Sequence, residues 1–343
     1  MSTLLYSPCP PPKAPPRATA SSSAWMPFLS DLAERPASAP RPARGLAPIA
    51  LFLYHRPEHT ERCLQSLLRN PEFLDSPLYL FCDGAKGRQD AEAVEAVRRI
   101  ARALPHPHKQ VIEAGRNRGL ADSVIAGVTR VVQAHGRVVV VEDDLVLAPT
   151  FLGFMNRSLD RYADEPEVMQ ISGHMVPIDP GCADDAVFLP MACSWGWATW
   201  SRAWHRFDPT MRDFATLQRQ PGLRRRFDLD GAYPYFSILQ RQRAGRTDSW
   251  FIRWYLSLFM QGGMVLYPRQ SLVRNGGFDG TGVHCGPGGS PYDAPGQPPH
   301  LQLTRLPDAH HVDAHALGRV RNYLAARNTV WQRARRRLQA LLA

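Results

Sequence analysis

Cysteine is scarce in this sequence and shows no paired spacing. The 343 residues include six, Cys9, Cys63, Cys82, Cys182, Cys193 and Cys285, and no C-x-x-C pair. That scatter argues against a thiolate zinc site and fits reduced thiols in a cytoplasm. Long apolar runs are missing too. Leu46 to Tyr54, the longest near the N-terminus, is interrupted by Pro48 and falls short of the ~20 residues of a membrane span. No transmembrane helix is therefore expected. Pro8, Pro10, Pro11, Pro12, Pro15 and Pro16 break up the apolar stretch that a secretory signal needs, so none is expected there either. No internal repeat is found.

What the sequence has in surplus is positive charge, +10 from 41 basic and 31 acidic residues. Its location matters more than its size. Residues 1–45 carry five basic and two acidic groups, and residues 317–343 carry seven Arg and no acid. Between them, residues 46–316 hold 29 of each sign, so a basic nucleic-acid-binding body is excluded as the leading reading. Hydrophobic residues make up 44% of the chain, enough for a real core. Three regions are expected: a disordered Pro/Ala-rich leader over 1–45, with a short helix around Trp25 to Ala33, a globular domain over 46–316, and a basic amphipathic helix over 317–343.

Within the body, apolar runs alternate with helical spacing. Strands are predicted at Ile49 to Tyr54, Leu78 to Cys82, Lys109 to Ala114 and Val138 to Val141. Helices are predicted at Glu58 to Leu68, Asp90 to Leu104 and Gly119 to His135. Such alternation, with unbroken Val/Ile/Leu strands, implies a parallel sheet covered on both faces. Ligands bind such sheets at the carboxyl ends of the strands. Arg56, Asp83 and the triplet Glu142, Asp143, Asp144 all fall at such ends. The second half is richer in Trp and irregular Gly/Pro turns, which predicts a mixed region completing the pocket.

The sharpest chemical signal is Val-Val-Val-Val-Glu-Asp-Asp-Leu, residues 138–145. Three adjacent carboxylates directly after a buried strand need a partner, because burying unpaired ions is costly. Mg²⁺ or Mn²⁺, hard ions held by carboxylates and nucleotide phosphates, would supply it. A solvated acidic turn is the plain alternative.

The acidic triplet after a hydrophobic strand resembles the metal motif of GT-A glycosyltransferases, and specifically the N-acetylglucosaminyltransferase I group and its bacterial relatives. Further segments match in the same order: P-I-A-L-F-L-Y-H-R-P (48–57), N-R-G-L-A (117–121), S-W-G-W-A-T-W (194–200), S-W-F-I-R-W-Y (249–255) and L-V-R-N-G-G-F-D-G-T-G-V-H (272–284). The resemblance implies a GT-A-like α/β fold, with a mixed, mostly parallel sheet and helices on both faces. It also implies a metal-dependent, inverting transfer of sugar from a nucleotide-sugar donor, with a UDP-sugar expected, to a saccharide or lipid-linked saccharide in polysaccharide biosynthesis.

Carried onto this chain, the resemblance makes Asp144 the metal ligand, while Glu142 and Asp143 position the sugar, the ribose or Arg56. Arg56 holds the nucleotide, with a salt bridge at the sheet mouth as the alternative. Asp83 becomes a nucleoside-binding acid, against a turn-forming Asp-Gly. Asn117 and Arg118 attend the nucleotide at a helix start. Asp248 is the nearest match to the family's base, although Ser249 separates it from Trp250; a helix N-cap is its alternative. Trp195 and Trp197 become a pocket wall, against ordinary core, and His284 a late metal or phosphate ligand, against a surface His.

Two other functions stay open at this stage. A sugar-nucleotide nucleotidyltransferase has a similar fold, but usually opens with a Gly-rich basic loop that His55-Arg56-Pro57-Glu58 does not provide. A non-enzymatic membrane or nucleic-acid adaptor would act through the basic C-terminal helix. For the enzyme itself no nucleic-acid partner is expected, and two readings stand for residues 317–343: a solvated packing helix, or a helix in peripheral contact with the inner face of a membrane.

Overall fold

The computed structural model describes residues 45–278, 292, 305–308 and 311–328. Three strand–helix units and a fourth strand come first: β1 (Ile49–Leu53), α1 (Pro57–Leu68), β2 (Leu78–Cys82), α2 (Arg88–Ala103), β3 (Lys109–Glu113), α3 (Leu120–His135) and β4 (Arg137–Glu142). These agree with the predicted elements to within two residues at either end. Pro57 occupies the first turn of α1, where its missing N–H costs nothing. Gly136, left-handed, closes α3 with its N–H on Val132.

The second half adds β5 (Leu145–Leu147), α4 (Phe151–Arg161), β6 (Val168–Ser172), β7 (Ala186–Leu189) and β8 (Trp197–Trp200), followed by helices α5 (Ser201–Trp204), α6 (Phe214–Arg219) and α7 (Pro221–Phe227). A 3₁₀ turn at Leu229–Gly231 leads to α8 (Tyr235–Arg243), α9 (Trp250–Met260), β9 (Met264–Pro268), β10 (Val273–Asn275) and α10 (Ala314–Arg327).

Eight strands form one sheet in the order β3-β2-β1-β4-β8-β6-β9-β7, while β5 and β10 pair separately. β8 runs antiparallel to both its neighbours and β7 antiparallel to β9; the other pairings are parallel. The sheet is thus mixed and mostly parallel. Its two faces bury separate cores. Ile49, Leu51, Val139 and Val141 pack with α1, α2 and α4, whereas Ala50, Phe52, Val138 and Val140 pack with α3 and α9. The valine run is continuous because both faces of β4 are covered. Each buried Val contributes about 1.5–3 kcal/mol.

The basic C-terminal helix differs from its expected form. It begins at Ala314, capped by Asp313, so a boundary at residue 317 would cut through it. Leu317, Val320 and Leu324 lie in the core, where they cover β7 and the 3₁₀ turn. Its apolar stripe is therefore used for packing, and residues 329–343 lie outside the described part, as do the expected leader and its short helix. No helix among the described residues is long and apolar enough to cross a membrane.

Candidate active site

From β1 the chain proceeds outward through β2 and β3, then returns so that β4 lies on the other side of β1. The carboxyl ends of β1 and β4 therefore flank the point where strand order reverses, the place where open α/β sheets bind ligands. Register delivers the acids to it. Phe52 pairs with Glu142, the Asp143 N–H donates to the Phe52 carbonyl at 3.1 Å, and that of Asp83 donates to the Leu53 carbonyl at 3.0 Å.

Arg56, in the N-cap position of α1, reaches across this crevice. Its Nη2 donates to Oδ1 of Asp143 and lies 3.3 Å from Oδ2 of Asp144. Oδ2 of Asp143 accepts from the Tyr54 N–H at 3.3 Å. Asp143 is thereby committed to β1 and its exit, whereas among the described residues the Asp144 carboxylate is engaged through Oδ2. Nη1 of Arg56 is buried and, among the described residues, has no hydrogen-bond acceptor. The salt-bridge alternative for Arg56 is thus present, and it uses one of the two terminal guanidinium nitrogens.

Burial dominates the electrostatics. Glu142 is pushed up to about 8, by desolvation first and then by the charges of Asp144 and Asp143, although the side chain of Trp250 hydrogen-bonds it. Desolvation also raises Asp143 and Asp144, against the pull of Arg56. Three carboxylates facing one paired guanidinium leave a deficit of positive charge. A hard divalent cation fits this oxygen donor set, with Asp144 offering its second oxygen. Among the described residues no group of three His, Cys, Asp or Glu is arranged to hold a metal alone, so such an ion would complete its shell with phosphate and water oxygens. His284 lies outside the described residues.

A glycine pair that carries no side-chain chemistry of its own completes the wall. The β5–β10 pair carries Gly276 and Gly277 over the acids, with the Gly276 N–H donating to the Asp144 carbonyl at 2.7 Å. A Cβ at Gly277 would stand 2.6 Å from Oδ2 of Asp144 and 3.2 Å from Nη1 of Arg56. From α1, Nε2 of His59 lies 3.3 Å from the Gly276 carbonyl. Trp250 and His59 were likewise missed, since nothing in their spacing ties them to residues about a hundred or more positions away.

Other expected site residues are redistributed. Both oxygens of Asp83 are occupied: Oδ1 accepts from the N–H groups of Gly84 at 2.8 Å and Arg118 at 2.9 Å, and Oδ2 accepts from Nδ2 of Asn117 and the Gly119 N–H, each at 3.1 Å. A carboxylate has about four acceptor positions, so Asp83 has none left for a nucleoside; it fastens the 117–119 loop to the end of β2. Asn117 joins that clamp, with a second bond to the Gly84 carbonyl at 2.8 Å. Only the exposed side chain of Arg118 is left to reach a ligand.

Trp197 is fully buried and stacks on Trp250 at 5.0 Å, so it belongs to the core and not to a pocket wall. The cause is strand alternation, which turns it toward α9. Trp195 is partly buried, edge-on to His174 at 4.5 Å and to Phe278 at 5.8 Å. Between the two, Gly196 adopts φ +57, and a Cβ there would meet Val273 at 2.9 Å, so glycine is required. Asp248 does not cap α9; Ser249 does, accepting from the Ile252 N–H at 3.4 Å. The Asp248 side chain is 61% exposed, pairs with Arg253 at 2.9 Å, and lies 3.8 Å from the Cβ direction of Gly119. That places it beside the loop held by Asp83.

No family model and no curated protein sequence matches the chain. Among solved structures it is similar to the mannosyltransferase PcManGT from Pyrobaculum calidifontis, in complex with GDP-Man and Mn²⁺, at 14% identity and a TM-score of 0.39 over 70% of this chain and 76% of that one. It is also similar to GalNAc-T7 with UDP, GalNAc and Mn²⁺, at 10% identity and a TM-score of 0.38 over 67% of this chain and 43% of that one.

Proposed function

We propose that the chain is a glycosyltransferase that moves a sugar from a nucleoside diphosphate sugar, a UDP-sugar in the first instance, to a saccharide or lipid-linked saccharide with inversion. The observation that carries this reading is the pairing of Arg56 with Asp143 and Asp144 at the strand-order reversal between β1 and β4. A diphosphate suits that crevice on two counts. It complements the buried Nη1 of Arg56, and it supplies the remaining ligands for a cation on Asp144. A bound divalent ion supplies positive charge to the departing diphosphate.

The protein's own residues divide the remaining work. Asp143 fixes the Arg56 guanidinium, so that its second nitrogen faces the crevice without reorganisation. Gly277 keeps the wall thin enough for phosphate oxygens to approach Asp144. Glu142, oriented by Trp250, faces the sugar. Asp248, at the start of α9, takes the proton of the acceptor hydroxyl, and its exposure leaves it open to an acceptor arriving from solvent.

The test is a thermal-shift panel of nucleoside diphosphate sugars with and without Mn²⁺. Stabilisation by one nucleotide sugar, dependent on Mn²⁺ and absent in Asp144→Ala, supports the reading. No response to any nucleotide overturns it.

A further inference from the structure

We propose that the helical segment after β8, residues 205–247, forms with α10 a basic face that binds bilayers rich in anionic lipid headgroups. The formal neutrality of the body conceals a division of charge. Residues 205–247 contain nine arginines, four aspartates, and no lysine or glutamate. The rest of the body is correspondingly acidic, as the site requires. α10 adds Arg319, Arg321 and Arg327.

Most of the few acids on this side are spent on local structure, Asp213 being exposed without a capping bond. Asp208 accepts from the N–H groups of Thr210 at 3.0 Å and Arg212 at 2.7 Å. Asp228 accepts from the Phe236 N–H at 2.6 Å, and Asp313 caps α10 through the Ala316 N–H at 2.9 Å. Asp230 lies between two helices, 3.4 Å from Nε of Arg225 on α7 and 2.8 Å from Nη1 of Arg321 on α10. That shared acid brings Arg225 of α7 and Arg321 of α10 to one place on the surface. Arg219, Arg225, Arg226, Arg241, Arg243 and Arg246 are all exposed.

The chemistry of the face selects its occupant. Among the described residues the exposed large hydrophobic is Leu120, at the start of α3 and outside this segment. Among the described residues of this face no large aromatic is exposed enough to stack a nucleic-acid base, and no apolar ridge is exposed to insert between acyl chains. What remains is a broad array of guanidinium groups suited to a flat lattice of phosphates. Residues 244–247 join α8 to Asp248, so a bilayer on this face lies beside the crevice. The contact is reversible and screened by salt.

The full chain is sedimented with phosphatidylcholine vesicles containing one-third phosphatidylglycerol, and with phosphatidylcholine alone, at low and high salt. Binding to the anionic vesicles only, lost at high salt, is expected. R225Q/R226Q/R241Q/R243Q lowers partitioning by more than about tenfold, while R62Q/R69Q/R99Q on α1 and its neighbours changes it by less than about twofold. R333Q/R335Q/R336Q/R337Q keeps most of the binding. Should the fourfold variant lose its fold by circular dichroism, R226Q and R243Q singly, each expected to weaken partitioning about fivefold, decide the matter. Vesicle binding by the helical variants equal to that of the wild type overturns the proposal. So does tighter binding of a single-stranded oligonucleotide than of vesicles at equal phosphate.

Discussion

Gly277 and Asp144 approach so closely that a single methyl group between them has no room: a Cβ at position 277 would stand 2.6 Å from the carboxylate oxygen that faces Arg56. Gly277→Ala is therefore expected to displace the acid while leaving the fold largely intact, since the pair lies at the rim of the β5–β10 ribbon. Stability should fall by about 1–3 kcal/mol, while the Mn²⁺-dependent response to nucleotide should disappear. An unchanged response would mean that Asp144 does not face the ligand.

Glu142 predicts a pH dependence of stability. Its folded pKa is raised from 4.5 to about 8, so between those values the folded state holds more protons than the unfolded chain. Stability then falls as pH rises through that window and is level on either side. Glu142→Gln removes the ionisable group, flattens the slope and raises the melting temperature at the alkaline end by at least about 2–4 °C. Thermal melts of both proteins across the window check this.

Arg56 balances two buried carboxylates, so Arg56→Gln leaves both without their cation. Breaking a buried pair from one side costs about 3–5 kcal/mol, and the double variant Arg56→Gln/Asp143→Asn should recover most of the loss. Denaturant unfolding of the two variants measures the difference. Equal stability of the single and double variants would contradict the coupling.

Asp83 and Asp248 are expected to separate stability from turnover. Asp83→Ala strips three hydrogen bonds from the 117–119 loop and one from the Gly84 N–H and should cost about 2–4 kcal/mol. Asp248→Asn, at an exposed side chain, should leave stability and donor binding unchanged while abolishing transfer. Transfer retained in Asp248→Asn would move the base elsewhere.

The first four strands and three helices were legible because each is encoded locally, in a run of apolar residues or a helical stripe. The acids and Arg56 were legible for the same reason, standing where strands end. What escaped depends on partners distant in sequence. β8 enters the sheet antiparallel between β4 and β6, and that insertion turns Trp197 into the core, although its motif looks like a pocket turn. Asp83 reads as an Asp-Gly turn or a ligand with equal ease, and only the loop at 117–119 reveals that its acceptors are filled. The stripe Leu317, Val320, Leu324 is the same whether it meets a membrane or the body; β7 and the 3₁₀ turn decide for the body.

The central claim is that the acids beside Arg56 form a cation and diphosphate site, and calorimetric titration of Mn²⁺ with and without UDP tests it most directly. Weak Mn²⁺ binding alone, binding strengthened at least about tenfold by UDP, and loss of that coupling in Asp144→Asn are expected. Mn²⁺ affinity unaffected by UDP, or coupling that survives in Asp144→Asn, would contradict it.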